Sequence, residues 1–182
     1  MGRHHVDDIL SFWFDLPDKA AWFQVDPAFD ARIRDRFAGL LLPAAAGAHD
    51  DWAATPEGAL ALLIVLDQFP RNVHRGTPLA FASDAKAREI ARDVLEAGLD
   101  RQVPRERRLF LYLPFEHSER LADQDLSCRL MATLEDPGLL DYAEQHRRII
   151  ARFGRFPHRN KILGRPSTPE EEAFLLEPNS SF

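Results

Sequence analysis

The sequence predicts an all-α fold, and three observations carry this prediction. Helix-start signals recur along the chain, with Asp, Ser or Thr directly before an apolar-periodic segment and Pro often at its first position. Apolar residues repeat at the spacing of three and four that places them on one helix face. Alternating strand patterns with Asn-Gly or Asp-Gly turns do not occur. Short connections between the segments favour antiparallel helical hairpins.

Capping residues mark where the predicted helices begin. The first N–H groups of a helix need acceptors, and a side-chain oxygen just before the helix supplies one. These signals predict helices that begin directly after Asp26, Thr55, Ser83, Pro104, Asp136 and Thr168. Glu171 completes a capping box with Thr168. Gly98 and Gly154 predict the ends of the helices that begin after Ser83 and Asp136.

Two segments, 58–69 and 109–115, are apolar on nearly all sides and are expected at the centre of the fold. The second belongs to a predicted helix over 105–119, which Pro114 should kink or split. Residues 137–153 instead show a single apolar stripe, and His146 lies on it. We therefore expect His146 to be a core histidine.

The size and charge of the chain limit the classes of protein it can belong to. Its 182 residues fit a single domain over 1–182, at roughly 100–200 residues per domain. A net charge of −6 argues against nucleic-acid and membrane partners. Asp7 and Asp8 interrupt any signal peptide, so we expect a cytoplasmic protein. Cys128 is the single cysteine, which excludes an internal disulfide and fits a reducing compartment.

The first polar set follows the apolar segment 58–69 and comprises Asp67, Gln68, Arg71 and Asn72. A buried carboxylate near a helix C-terminus loses hydration and faces the negative end of the helix dipole, so Asp67 needs a cationic partner. We expect a distant Arg, because Pro70 disturbs the geometry between Asp67 and Arg71. The alternative is a structural ion pair that fixes helix packing.

The second polar set lies at the end of the other apolar segment and comprises His117, Glu119 and Gln124. If one helix continues through these residues, His117, Gln124 and Cys128 share a face. The imidazole could then act as base, ligand or donor. The alternative is a histidine that binds carbonyl groups at a helix end.

The third polar set lies in the segment 145–169, which contains seven Lys or Arg residues and no acidic residue. Its loop after Gly154 carries Arg155, His158, Arg159 and Asn160, from which guanidinium groups could converge on a carboxylate or phosphate. Such a segment in an acidic chain indicates an anion site. The alternative is that these arginines tie the loop to Asp67 and Glu119.

Three motifs resemble a known bacterial family, the domain-of-unknown-function family 924. They are LDQFPRN at 66–72, LPFEHSE at 113–119 and FGRFPHRN at 153–160, and the resemblance extends from FWF at 12–14 to PSTPEE at 166–171. It implies an all-α fold similar to tetratricopeptide (TPR) helical hairpins, packed as a compact TPR-like superhelix or bundle. It implies no established activity. The family signature falls on Asp67, Gln68, Arg71, Asn72, His117, Ser118, Glu119, Gln124, Arg155, His158, Arg159 and Asn160.

Three hypotheses for the function remain open. No GxSxG, GxxxxGK[ST], GxGxxG, CxxC or HExxH motif occurs, and we expect no cofactor and no metal. The preferred hypothesis is a helical binding or scaffold module that recognises an anionic small molecule or peptide carboxylate through the Arg/His/Asn loop. A hydrolase or lyase that uses His117 or His158 with a carboxylate is the second. A structural adaptor without a ligand is the third. The sequence leaves both catalysis and the oligomeric state open.

Overall fold

The computed structural model describes residues 2–181, and the side chains of residues 5–181. Within this range the chain is helical and contains no strand, which confirms the predicted all-α class. None of the described helices is long and apolar enough to cross a membrane. The α-helices are α1 Gly2–Phe14, α2 Pro27–Ala45, α3 Pro56–Leu63, α4 Phe69–Val73, α5 Asp84–Glu96, α6 Leu109–Glu116, α7 Leu121–Ala132, α8 Pro137–Phe153 and α9 Pro169–Phe174.

Most predicted helix starts are confirmed because the capping side chains act locally. Asp26 accepts from the N–H groups of Ala28 and Phe29 at the start of α2. The hydroxyl of Thr168 and the carboxylate of Glu171 form the predicted capping box of α9. The caps of α3 and α8 are also as predicted.

Ser83 is the exception among the caps, because it precedes α5 but its side chain does not cap that helix. Gly154 ends α8 as expected, with φ at 68°, in the left-handed region that favours glycine.

The chain divides into two compact units. Unit 1 contains the described residues up to Arg75 together with Leu79–Pro114, and unit 2 contains Gly76–Pro78 and the residues from Phe115 onward. A single domain over 1–182 stays a prediction, as does the TPR-like arrangement.

Unit 1 is built around the predicted apolar segment, in which every residue from 58 to 70 is buried. Its helix α3 packs against α1 and α5, while α2 packs against α4. An aromatic cluster fills the space between these helices and contains Phe12, Trp13, Phe29, Phe37, Phe69 and Phe110.

Between α3 and α4 the backbone forms a π-helical turn, Ile64–Gln68, in which the N–H of Phe69 binds the carbonyl of Ile64. Such turns insert one extra residue into a helix and change the direction of the side chains that follow. Asp67 and Gln68 lie in this turn, so it decides where their side chains point.

Unit 2 is centred on α7 and α8, which pack against each other and are joined by a short turn. A small apolar cluster of Ile149, Ile150, Phe156 and Phe174 lies at the end of α8, beside the basic loop. Many polar side chains are also buried in this unit, at Glu116, Ser118, Asp123, Gln124, Ser127, His146, Arg159, Asn160 and Glu171. Burial of polar groups costs free energy unless they are paired, so these buried polar residues are the strongest candidates for a functional site.

Candidate functional site

The predicted bounds of the helix over 105–119 are wrong at both ends, and the condition that one helix continues through His117 to Gln124 is not met. Residues 105–107 form a 3-10 turn, α6 ends at Glu116, and α7 begins at Leu121. Pro114 lies inside α6, and the chain leaves the helix only after Glu116. His117 therefore lies in the turn between α6 and α7.

The turn at 116–118 is held by side-chain donors that replace the backbone N–H groups of a continuing helix. The Nε2 of Gln124 donates to the carbonyl oxygens of Glu116 at 2.6 Å and Ser118 at 2.7 Å. The carbonyl of His117, between them, accepts from Arg159 at 3.0 Å. Because these three carbonyls are consecutive, Gln124 and Arg159 lie on the same turn of unit 2.

The side chain of Arg159 is the centre of a cluster of basic groups that we call the basic cluster, comprising His117, His146, His158 and Arg159. Arg159 is buried, and its guanidinium lies 4.4 Å from the ring centroid of Phe156. An arginine on an aromatic face combines packing with a fixed orientation of its donors. The loop residues His158 and Arg159 thus lie near His117.

The imidazoles of His146 and His158 are uncharged at neutral pH. Burial is the main reason that the pKa of His146 is lowered to about 3. The neighbouring His117, Arg159 and His158 act in the same direction, while the hydrogen bond to the Tyr142 carbonyl opposes them. Burial and then Arg159 lower the pKa of His158 to about 4, although Glu119 acts in the opposite direction. The groups of the cluster therefore lie close enough to disfavour each other's positive charge.

His146 is a core histidine, as predicted from its place on the stripe of α8, and only 2% of it is exposed. Its Nδ1 lies 2.9 Å from the carbonyl oxygen of Tyr142, which can only accept, so Nδ1 carries the proton and Nε2 the lone pair. Nδ1 also lies 3.8 Å from Oε1 of the buried Glu116. Since the lowered pKa leaves His146 neutral, this contact is not an ion pair at neutral pH.

Arg155 does not point its guanidinium at an open anion site. Its Nε and NH2 bind the two carboxylate oxygens of Glu171 at 2.6 and 2.8 Å. Asn160 is buried beside them and donates to Ser167 at 3.1 Å and to Glu171 at 3.3 Å. The hydrogen bond from Arg155 stabilises the carboxylate of Glu171, whereas burial destabilises it. The hydrogen bond is the larger effect, so the pKa of Glu171 is lowered to about 2.

Glu119 is clamped by Arg165, a residue that the sequence analysis does not select. Arg165 donates from NH1 to Oε2 at 2.7 Å and from NH2 to Oε1 at 2.9 Å. The N–H of Phe156 adds a third bond to Glu119 at 2.8 Å. Burial alone would raise the pKa of Glu119, but these donors hold it below its usual value. Arg165 therefore connects the basic loop to Glu119, as the alternative interpretation of the basic segment proposes.

The signals for Arg165 and Glu171 were present in the sequence. Arg165 is the last of the seven basic residues of the segment 145–169, and Glu171 is the capping-box residue of α9. A buried carboxylate at the end of a basic segment needs an arginine partner. This requirement, applied to Glu171 as well as to Glu119, would have shown that each needs an arginine, but not which one.

In unit 1, Asp67 contacts Arg71 despite the intervening Pro70, so the expected disturbance by Pro70 was wrong. NH1 of Arg71 lies 3.4 Å from Oδ1 of Asp67 and donates to the Asp67 carbonyl at 2.8 Å. Arg71 also binds both carboxylate oxygens of Asp84, at 2.9 and 3.0 Å. Asp67 lies in the π-helical turn and Arg71 lies four residues later in α4. Gln68 donates to the carboxylate of Asp67.

Asn72 binds a different carboxylate of unit 1. Its Nδ2 donates to Oδ1 of Asp30 at 2.7 Å, and Arg75 donates to both oxygens of the same carboxylate at 3.0 Å. These bonds hold α4 against α2. A ligand-binding role for Asp67, Gln68, Arg71 and Asn72 stays a prediction.

The described residues offer neither a metal site nor a reactive thiol. Among the described residues, no group of three His, Cys, Asp or Glu side chains could hold a metal ion. Cys128 is half-buried, and burial raises the pKa of its thiol. A raised pKa lowers the fraction of thiolate, which is the nucleophilic form.

Comparison with known proteins gives the family of this chain. A model described as a bacterial protein of unknown function (DUF924) matches residues 9–179. The chain belongs to the DUF924 family. This confirms the resemblance carried by the three sequence motifs. No curated protein matches the chain.

A solved structure of another protein of unknown function, from Agrobacterium tumefaciens, is similar to this DUF924 chain. The two sequences are 44% identical, and the match covers 97% of this chain and 99% of the other. The TM-score is 0.92. The all-helical fold is therefore shared by both proteins over nearly their whole length.

Proposed function

We propose that the chain is a helical binding module that recognises an anionic small molecule or peptide carboxylate through the basic cluster of unit 2. The observation that carries the proposal is the burial of the Arg159 guanidinium with three imidazoles around it. With His146 and His158 neutral, Arg159 carries a buried positive charge, which a bound anion would neutralise. Arginine is also the side chain best suited to bind a carboxylate or phosphate through two parallel bonds.

The proposal narrows the set of residues expected to touch the ligand. Arg155, Asn160 and Glu119 bind side chains of unit 2 and shape the loop around the ligand. Arg159 and His158 would contact the anion, and His117 would lie beside them. Gln124 holds the turn that positions His117.

Acid–base catalysis by the same histidines is less well supported. A general base works best when its pKa lies near the operating pH. The pKa of His158 is about 4, so its imidazole is a weak base at neutral pH. A hydrolase or lyase would need a ligand that raises this pKa by several units.

The proposal is tested by anion binding to the wild type and to Arg159→Gln. Inorganic phosphate and acetate are titrated by calorimetry, and the melting temperature is followed as their concentration rises. Gln keeps an amide donor but removes the charge, and the melting temperature of the variant without ligand checks that it is folded. We expect Arg159→Gln to bind at least about tenfold more weakly, as for the loss of a charge-assisted hydrogen bond.

Arg152→Gln is the matched control, because Arg152 lies exposed in the last turn of α8 and binds the exposed Glu170. It changes the net charge equally, so we expect it to bind both anions as the wild type does. A wild type that binds neither anion contradicts the proposal and favours the structural adaptor. The same holds for a folded Arg159→Gln with unchanged affinity.

A further inference from the structure

Two exposed arginines of α2 share one aromatic ring in unit 1. Arg32 and Arg36 lie one helical turn apart, and the guanidinium carbon of each lies 5.0 Å from the ring centroid of the buried Phe12. The two carbons are therefore no more than twice this distance apart. Arg32 also lies 5.9 Å from the ring of Phe29, and Arg36 lies 5.0 Å from the ring of Phe37. The aromatic cluster thus holds both positive charges at one place on the surface.

The two guanidinium groups keep their hydrogen-bond donors available. Neither group has a hydrogen bond or an ion pair with another residue between 5 and 181, and this includes Asp35 on the same helix. Stacking on a ring uses the face of a guanidinium, whereas its N–H donors point outward in the plane of the group. Both side chains are exposed, so a ligand can reach these donors from solvent.

The charges of this arginine pair are not balanced by carboxylates. Like charges four residues apart on a helix destabilise that helix. Exposed arginines of α8 show the opposite pattern, since Arg148 lies 3.9 Å from the carboxylate of Glu144 and Arg152 lies 3.1 Å from that of Glu170. The pair on α2 remains unbalanced in a chain with 29 acidic and 23 basic residues. An anion from outside the chain would balance it.

We infer that Arg32 and Arg36 form a binding site for the dianionic group of a phosphate monoester. The inference goes beyond the proposed function, because this site lies in unit 1 and the basic cluster lies in unit 2. A phosphate monoester carries about 1.5 to 2 negative charges at pH 7 and three strong acceptor oxygens, so two arginines can bind it together. A carboxylate has one charge and two oxygens, and one arginine already occupies both oxygens. Charge and acceptor number therefore both favour the phosphate monoester.

The test follows the Nε–H signals of Arg32 and Arg36 in heteronuclear NMR while methyl phosphate is added at constant ionic strength. At pH 8 the monoester is a dianion, because its second pKa is about 6. The signals of both arginines should shift along one binding curve. Arg32→Gln and Arg36→Gln should each weaken this binding about two- to fivefold, as for the loss of an exposed ion pair. Acetate should bind more weakly than methyl phosphate.

Arg34→Gln is the matched control, because Arg34 is exposed on α2 but lies two residues from each member of the pair, on a different face of the helix. It removes the same charge and should bind methyl phosphate as the wild type does. Equal weakening in Arg34→Gln and Arg36→Gln overturns the inference, since the anion would then respond only to the total charge. The absence of a saturable shift in the wild type also overturns it.

Dimethyl phosphate tests the class of the ligand. This diester has one negative charge and two terminal oxygens, so it should bind several-fold more weakly than methyl phosphate. Equal affinity for the two esters overturns the assignment to monoesters and favours a diester such as the backbone of a nucleic acid.

A double-mutant cycle of Arg32→Gln and Arg36→Gln gives a second readout, the melting temperature. Without ligand, the double variant should lose less stability than the two single variants together, because the two charges repel each other. With saturating methyl phosphate the sign of this coupling should reverse, since both arginines then bind one dianion. A coupling that stays the same with and without methyl phosphate contradicts a shared site.

Free monoesters and phosphorylated side chains share the chemistry of this site, and a Gly-phosphoserine-Gly peptide distinguishes them. Affinity equal to that of methyl phosphate supports a small-molecule ligand, whereas affinity at least about tenfold higher supports a phosphorylated protein. Arg159→Gln should leave the shifts of Arg32 and Arg36 unchanged. The site on α2 and the anion site of the basic cluster can therefore fail independently.

Discussion

The hydroxyl of Ser83 donates a hydrogen bond of 2.6 Å to the carbonyl oxygen of Leu66. In a regular helix this carbonyl would accept from the N–H four residues later, but residue 70 is a proline and has none. Both Ser83 and Leu66 are buried, so water cannot supply the missing donor. Ser83, which the sequence predicts as the cap of α5, thus supplies a donor to the Leu66 carbonyl that Pro70 cannot supply.

Replacement of Ser83 by Ala leaves the Leu66 carbonyl buried without this donor. We expect the free energy of unfolding to fall by about 1–3 kcal/mol, the cost of an unsatisfied buried group. Denaturant unfolding followed by circular dichroism measures it. Thr133→Ala is the control, because Thr133 makes the same kind of bond to Leu130 on the exposed surface and should change stability by less than about 0.5 kcal/mol. Equal losses of unfolding free energy in the two variants would contradict the proposed importance of the Ser83 bond to Leu66.

Substitution by Ala should have opposite effects on stability at the two helix glycines Gly58 and Gly39. A Cβ on Gly58 would lie 2.1 Å from the carbonyl oxygen of Trp52, a backbone atom that cannot move alone. Gly58→Ala should therefore destabilise the protein by about 1–3 kcal/mol, as overpacking does. A Cβ on Gly39 meets nothing within 4 Å, so Gly39→Ala should stabilise by about 0.5–1 kcal/mol. Thermal unfolding of both variants checks the signs, and a stabilising Gly58→Ala would show that the close approach is absent.

The sequence predicts the parts of this fold that depend on neighbouring residues. The caps by Asp26, Thr55 and Asp136 involve contacts within three residues, so their pattern suffices. The π-helical turn at 64–68 and the turn after Glu116 are instead bound by side chains from elsewhere in the chain, Ser83 in the first case and Gln124 and Arg159 in the second. Arg159, for example, reaches a carbonyl 42 residues away. Periodicity carries no information about such contacts, and it favours one continuous helix instead.

Sequence reasoning selected polar residues of unit 2 but not their partners, and their role as a site stays a prediction. The basic segment and the polar residues near His117 do meet in unit 2, through the bonds of Arg159 and Arg165. Which arginine would be used by which carboxylate did not follow from sequence, because several arginines compete for each. Both Arg155 and Arg165 bind a carboxylate, but the folded loop places Arg155 beside Glu171 and Arg165 beside Glu119.

The lowered pKa of Glu171 predicts that the folded protein loses stability in acid. Its pKa is about 2 in the folded protein, below the ordinary value of 4.5, so the unfolded chain binds more protons between these values. Its contribution to stability is therefore complete above pH 4.5 and is lost as the pH falls toward 2. In Glu171→Gln, which keeps an acceptor for the N–H of Thr168, stability should depend less steeply on pH in this window.

Glu172→Gln is the control for this titration, because Glu172 is the exposed neighbour of Glu171 in α9. Unfolding is measured by urea titration at several pH values from 2 to 7. An acid dependence of Glu171→Gln as steep as that of the Glu172→Gln control would show that the clamp by Arg155 does not lower the pKa.

His158 provides a direct readout of the basic cluster. Burial first, and Arg159 second, lower its pKa to about 4, so its imidazole should stay neutral as the pH falls from 8 to 5. Between the ordinary value of 6.5 and about 4 the unfolded chain binds the additional proton, so the free energy of unfolding decreases as the pH falls through this window. The imidazole signals in heteronuclear NMR report the titration.

Arg159→Gln separates the two causes of this shift. Removal of the guanidinium charge should raise the pKa of His158, yet burial remains and should keep it below 6.5. Phosphate bound to the wild type should raise the same pKa, because an anion favours the protonated imidazole. Binding then takes up protons, and the affinity for phosphate should increase as the pH falls from 7 toward 5. A His158 signal that titrates near 6.5 in the free wild type would contradict both the burial and the cluster.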